Sequence, residues 1–134
     1  MIVGIGVDVV DLGRFDRAVT RTPRLIERLF AQSERDLSLH SLAARFAAKE
    51  ALVKAIGQFG GMRWTEMEVV TDADGGPAFR LHGVAAELVA SRGIDSVHLS
   101  LTHDGGVACA FVVAERGGAA RAGEEQIVAE KTAR

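Results

Sequence analysis

The sequence predicts an α+β fold, an antiparallel sheet packed against one long helix and shorter ones. Three observations predict it. The first ten residues alternate as a strand does, the stretch from Ser38 or Ser41 to Gly57 is helical throughout, and the later segments alternate again around the turns DADGGP and DGG. A chain of 134 residues that is 48% hydrophobic is the size of one domain with a core of its own.

In the first strand Val3, Ile5, Val7 and Val9 share one face, and Ile2, Gly4, Gly6, Asp8 and Val10 share the other. The two glycines clear space beside Asp8 for a ligand or for another backbone. Asp8 itself reads equally well as a functional carboxylate or as the polar end of an edge strand. From Asp11 to about Leu29 the pattern is helical with a break at Thr22-Pro23, because the residue before proline is disfavoured in the α conformation. Arg14, Arg17, Arg21, Arg24 and Arg28 recur there at spacings of three and four, a basic stripe with Asp11, Asp16 and Glu27 as its possible partners. Such a run is either a solvated face or a docking surface.

Ser33 reads as the cap of a short helix, and Ser38 or Ser41 as the start of the long one, which Gly57 ends. A loop GQFGGMRW follows. Strands at 66–71 and 78–82, a helix at 83–92 stopped by Gly93, and two last strands, SVHLSLTH and VACAFVVAE, complete the domain. Val97, Leu99 and Leu101 face one way, and His98, Ser100 and Thr102 the other. His98 reads as a sheet-surface residue, whereas His103 arrives at a strand end, where ligand contacts concentrate. From Gly117 onward the composition shifts to Ala, Gly and charge, so 1–116 reads as the domain and 117–134 as a poorly ordered or accessory tail.

The net charge of −2 excludes bulk electrostatic attraction to nucleic acid or to an anionic membrane. The lone Cys109 forms no internal disulfide, reads as core packing and fits a reducing compartment. Asp8 interrupts the apolar N-terminus, and no stretch reaches the roughly 18 apolar residues of a membrane span. A cytoplasmic protein is expected.

The segment RFAAKEALVKA, residues 45–55, carries the chemistry. Turned at about 100° per residue, Leu42, Phe46, Val53 and Ile56 form an apolar arc with Lys49 among them, while Glu50 and Lys54 line its edge. A buried charge there requires a metal, an anion or an opposing side chain. No P-loop, dinucleotide fingerprint, HExxH or CxxC is present. What remains is Asp8 and Glu50 with Lys49, Lys54 and His103, a set suited to Mg²⁺-assisted phosphoryl chemistry.

GVDVVDLGRF, RFAAKEALVKAIG and HLSLTHD, in this order and at these separations, resemble the three motifs of the 4′-phosphopantetheinyl transferases, and the short length resembles their small, trimeric holo-(acyl-carrier-protein) synthase branch. The resemblance implies that family's fold and transfer of 4′-phosphopantetheine from coenzyme A to a serine of apo acyl carrier protein, releasing adenosine 3′,5′-bisphosphate. It implies Asp8 and Glu50 as Mg²⁺ ligands and, with Lys54, as the catalytic group, Glu50 or a metal-associated water taking the serine proton. Arg45, Lys49, Gly57 and His103 become coenzyme A contacts, with His103 supplied by a neighbouring subunit of a homotrimer. The stripe, above all Arg14, Arg21, Arg24 and Arg28, becomes the docking surface for the acidic carrier. The chain departs from the family in GQFGGMRW, where a small-residue loop is usual, and in a short segment between Asp36 and Arg45. Two rivals use the same residues differently: a noncatalytic carrier-binding module, and a Mg²⁺-dependent nucleotide phosphohydrolase.

Overall fold

The computed structural model describes residues 1–117. The expected tail falls at 117–134 and so lies, but for its first residue, outside the described residues. In chain order the elements are β1 (Ile2–Asp11), α1 (Leu12–Arg21), α2 (Arg24–Leu29), a 3₁₀ turn (Gln32–Glu34), α3 (Leu39–Ile56), a second 3₁₀ turn (Trp64–Glu66), β2 (Met67–Thr71), β3 (Pro77–Leu81), α4 (Gly83–Ser91), β4 (Ser96–Asp104) and β5 (Val107–Glu115). The α+β expectation holds, and the break at Pro23 falls where the sequence puts it.

β1, β5 and β4 form an antiparallel sheet in that order, and β2 and β3 form a separate hairpin. Asp8 stands opposite Ala110, and Leu101 opposite the same Ala110 on the other side. An irregularity between Ile2 and Gly4 reverses the alternation at the start of β1, so Val3 packs on the core instead of sharing the outer face with Ile5.

α3 lies across β1 and β5. Ser38 starts it by accepting the Ser41 N–H at 3.2 Å, and Gly57 ends it at φ 91°. The face turned to the sheet differs from the large-residue arc read from the sequence. Ala47, Ala48, Ala51 and Ala55 are its buried members beside Leu52 and Ile56, while Phe46 and Val53 are only half-buried. The reason is Gly4 and Gly6. A β-carbon on either would run into the backbone carbonyl oxygen of Ala55 or Ala51, so helix and strand approach backbone to backbone.

This contact joins Met67, Val69, Phe79 and Leu81 of the hairpin, Ala85 and Val89 of α4, and Ala110, Val112 and Ala114 of β5 in one core. A second cluster, Phe15, Leu29, Phe30, Leu42, Ala43 and Ala44, seats α1 and α2 on the first half of α3. Ser33 caps nothing: its hydroxyl donates to Glu68. Cys109, expected in the core, is half-buried and alternates with the buried Ala108 and Ala110, which puts it on the other side of the sheet.

That other side is apolar. Ile5, Val7, Val9 and Phe111 are exposed, with Val7 paired to Phe111 and Val9 to Cys109.

The close approach gives a direct test. Gly6→Ala forces α3 off β1 and is expected to lower stability by about 3 kcal/mol or more in denaturant unfolding, the cost of overpacking against immovable backbone. An unchanged midpoint would mean that the two backbones do not touch.

Candidate functional site

Asp8 shares its strand face with Gly4 and Gly6, so its carboxylate is carried toward α3. There Lys54 Nζ donates to Asp8 Oδ1 at 2.9 Å and to the Val7 carbonyl oxygen at 2.9 Å. Lys54 remains largely exposed, and its ammonium is held above the usual lysine range by the Asp8 hydrogen bond first, with the charges of Asp8 and Glu50 adding to it against its own desolvation. Glu50 precedes Lys54 by one helical turn. It is half-buried, and among the described residues no cation lies within 4 Å of it. Burial, then the negative charge of Asp8, pushes its carboxyl above the ordinary carboxylate value, with Lys54 opposing. The structure thus brings together Asp8, Glu50 and Lys54, two carboxylates of which one is neutralised and one is not.

No group of three or more His, Cys, Asp or Glu able to enclose a metal occurs among the described residues. Two carboxylates, one of them without a cation, fit Mg²⁺, which is bound by one or two protein carboxylates plus water and substrate phosphate oxygens.

Lys49 overturns an expectation. It follows the arc inward and is 0% exposed, with its ammonium donating to the Leu29 carbonyl at 2.7 Å, Glu34 Oε1 at 2.7 Å and the Trp64 carbonyl at 3.2 Å. Three acceptors use all three donors of a protonated amine, and the Phe30 ring lies 4.9 Å away. Desolvation lowers its pKa while Glu34 works against that shift. Lys49 has no reach to a cofactor phosphate; it is a structural cation.

Arg45, one turn earlier, stands with Nε 3.8 Å from Glu34 Oε2 and keeps 15% of its side chain exposed. Gly57 occupies a left-handed cap that favours glycine with or without a ligand. His103 is exposed, its ring 6.3 Å from that of His40. It sits on β4, the edge strand opposite β1, so one chain does not bring it to Asp8. The five arginines of the stripe are exposed on α1 and α2, and none has an ion-pair partner among the described residues. Asp11 instead caps α1 by accepting the Arg14 N–H at 2.7 Å, and Asp16 accepts from Thr20.

The sequence reading missed two buried acids. Glu34 is 1% exposed, and Glu68 accepts from Ser33 and lies 3.1 Å from His82 and 3.7 Å from Arg80. Burial alone would raise Glu68, yet Ser33, His82 and Arg80 together hold it below the usual range. His40, beside His103, was missed as well; nothing in LSLHSL marks it.

Residues 4–112 match the family model of the 4′-phosphopantetheinyl transferase superfamily. The chain is 60% identical over 115 residues to a holo-(acyl-carrier-protein) synthase of Clavibacter michiganensis, covering 86% of this chain and 97% of the relative. Among solved structures, that of the Neisseria meningitidis holo-(acyl-carrier-protein) synthase superposes with a TM-score of 0.77 at 34% identity, over 87% of this chain and 100% of that one. The Helicobacter pylori holo-(acyl-carrier-protein) synthase in complex with coenzyme A gives 0.73 at 30% identity, over 83% and 99%.

The Glu50 environment predicts a linkage. Well below 4.5 both folded and unfolded chains hold the proton and no penalty exists; it grows as pH rises from 4.5 to the raised folded value and then stays constant. Glu50→Gln is therefore expected to raise the melting temperature by a few degrees near neutrality without metal, and by nothing in strong acid. Equal melting temperatures at both pH values would place Glu50 in free solvent.

Proposed function

This chain belongs to the 4′-phosphopantetheinyl transferase superfamily, and we propose that its Asp8, Glu50 and Lys54 carry out transfer of phosphopantetheine from coenzyme A to a serine of apo acyl carrier protein. The observation that carries this is the convergence of Asp8, from the first motif, with Glu50 and Lys54, from the middle one.

Asp8 and Glu50 would hold Mg²⁺, which supplies charge neutralisation for the coenzyme A pyrophosphate. Glu50 would take the serine proton as the hydroxyl oxygen attacks the phosphorus that bears the pantetheine arm. The bond to the other phosphate then breaks, and adenosine 3′,5′-bisphosphate leaves. Lys54 is held by Asp8 in the free chain. Once Asp8 is engaged elsewhere, this exposed ammonium is free to turn toward the charge gathering at the phosphorus. Arg45 and His103 are left as the side chains for other phosphate oxygens, with Gly57 as a separate backbone contact at the end of α3.

His103 lies on the far edge of the sheet, so its participation requires a second copy of the chain. The exposed Ile5, Val7, Val9 and Phe111 supply a surface for that association, and a homotrimer with sites between subunits accommodates both facts. The arginines of α1 and α2, without ion-pair partners among the described residues, suit an acidic carrier, favouring fast encounter. No helix of the described residues is long and apolar enough to cross a membrane, and cytoplasmic location follows the family.

Incubation with Mg²⁺, coenzyme A and an apo carrier is expected to add one phosphopantetheine to the carrier mass; no gain across several carriers would sink the transferase reading. Mg²⁺ is expected to raise the melting temperature of the wild type and not of Glu50→Gln, and an equal rise in both would remove Glu50 from the metal site. Phe111→Glu is expected to sediment as a monomer and to lose turnover. Full activity from a monomer would contradict intersubunit sites. For Arg14→Glu/Arg24→Glu, the carrier KM should rise about tenfold or more with that for coenzyme A unchanged; equal effects on both would contradict docking.

A further inference from the structure

We propose that Glu34 is a positioning residue for Arg45, aiming its guanidinium at a phosphate of coenzyme A; the proposal rests on the transferase reading. Glu34 shares no ion pair or hydrogen bond with Asp8, Glu50 or Lys54. Its Oε1 accepts the Ala31 N–H at 2.9 Å and Lys49 Nζ at 2.7 Å, and its Oε2 accepts the Val69 N–H at 3.2 Å. Groups from its own turn, from α3 and from β2 therefore fix this carboxylate in place. The remaining side of Oε2 faces Arg45 Nε at 3.8 Å.

Arg45 Nε is the one buried side-chain nitrogen or oxygen without a hydrogen bond among the described residues. The rear of the guanidinium is thus drawn to Glu34 by charge, and among the described residues no acceptor is hydrogen-bonded to its fork. A guanidinium binds phosphate through two parallel N–H bonds of a planar fork, so its orientation matters as much as its charge. A fixed anion behind the fork supplies that orientation before the ligand arrives and lowers the ordering cost of binding. Lys49, on the same carboxylate, cannot substitute, since its three donors are used inside the protein.

Removing Glu34 alone would strand the buried Lys49 ammonium, so the informative variant is Glu34→Gln/Lys49→Met, which removes both charges. Steady-state kinetics with coenzyme A and apo carrier varied in turn are run on it, on Arg45→Ala and on the triple variant. The double variant is expected to raise the coenzyme A KM about fivefold or more, with kcat and the carrier KM within about twofold, and to add nothing in the Arg45→Ala background. An unchanged coenzyme A KM, or the same rise without Arg45, would overturn the proposal. A double variant that fails to fold assigns Glu34 to stability alone and overturns it too. If the wild type adds no mass to any carrier, the transferase reading fails instead, and calorimetric titration of coenzyme A into the same variants still decides the role of Glu34.

Discussion

The site depends on how closely β1 and α3 approach. Gly4 and Gly6 let the strand backbone meet the carbonyls of Ala55 and Ala51, and Asp8 is the next residue on the same strand face. The alternation of the strand and the turn of the helix then leave little choice: Asp8 is delivered beside Glu50 and Lys54. Side chains at positions 4 and 6 would hold the helix off, and the Asp8 to Lys54 bond at 2.9 Å would open with it. Packing and chemistry are therefore one constraint, and the alanines of α3 matter to the carboxylates although they touch no substrate.

Lys49 and Glu50 are adjacent in sequence and about 100° apart around the helix, which sends one inward and the other to the site edge. The inward ammonium loses its hydration, and this loss is offset by two backbone carbonyls and a carboxylate in place of water. A buried pair of this kind fixes geometry more than it adds stability. Here it ties the end of α2, the turn bearing Glu34 and the backbone at Trp64 to α3. The helices that carry the arginine stripe are thereby fastened to the helix that carries Glu50.

The elements were legible because their signals are local: alternation in β1, a capped eighteen-residue helix in α3, and turns rich in glycine between the hairpin strands. Asp8, Glu50 and Lys54 were legible through their motifs, and periodicity alone put only the last two together. What failed shares a cause. RFAAKEALVKA shows that charged residues lie on or beside an apolar arc without saying which of them finds a partner inside. Glu34 sits in SERD, where every neighbour looks solvated, and becomes buried only because its turn docks on β2 and α3. Alanine is compatible with either surface or core, so the face that truly packs was hidden behind Phe46 and Val53. One extra residue at the start of β1 was enough to turn Val3 inward.

β5 carries the last step. A strand buried on one face alternates apolar with polar, whereas VACAFVVAE is apolar on both, the pattern of a strand covered on both sides. Within the chain its inward residues are mostly alanines, and its larger ones, Phe111 and Val113, turn outward, Phe111 exposed and Val113 half-buried. A domain this small has little volume for a second internal layer. Apolar residues of this size left facing water are costly, and a second copy can cover them. β1 then serves both sides at once, since Val7 and Val9 face outward on either side of the inward Asp8 in the same pleat. A shift imposed on the outer face would therefore be transmitted to Asp8 through that one strand.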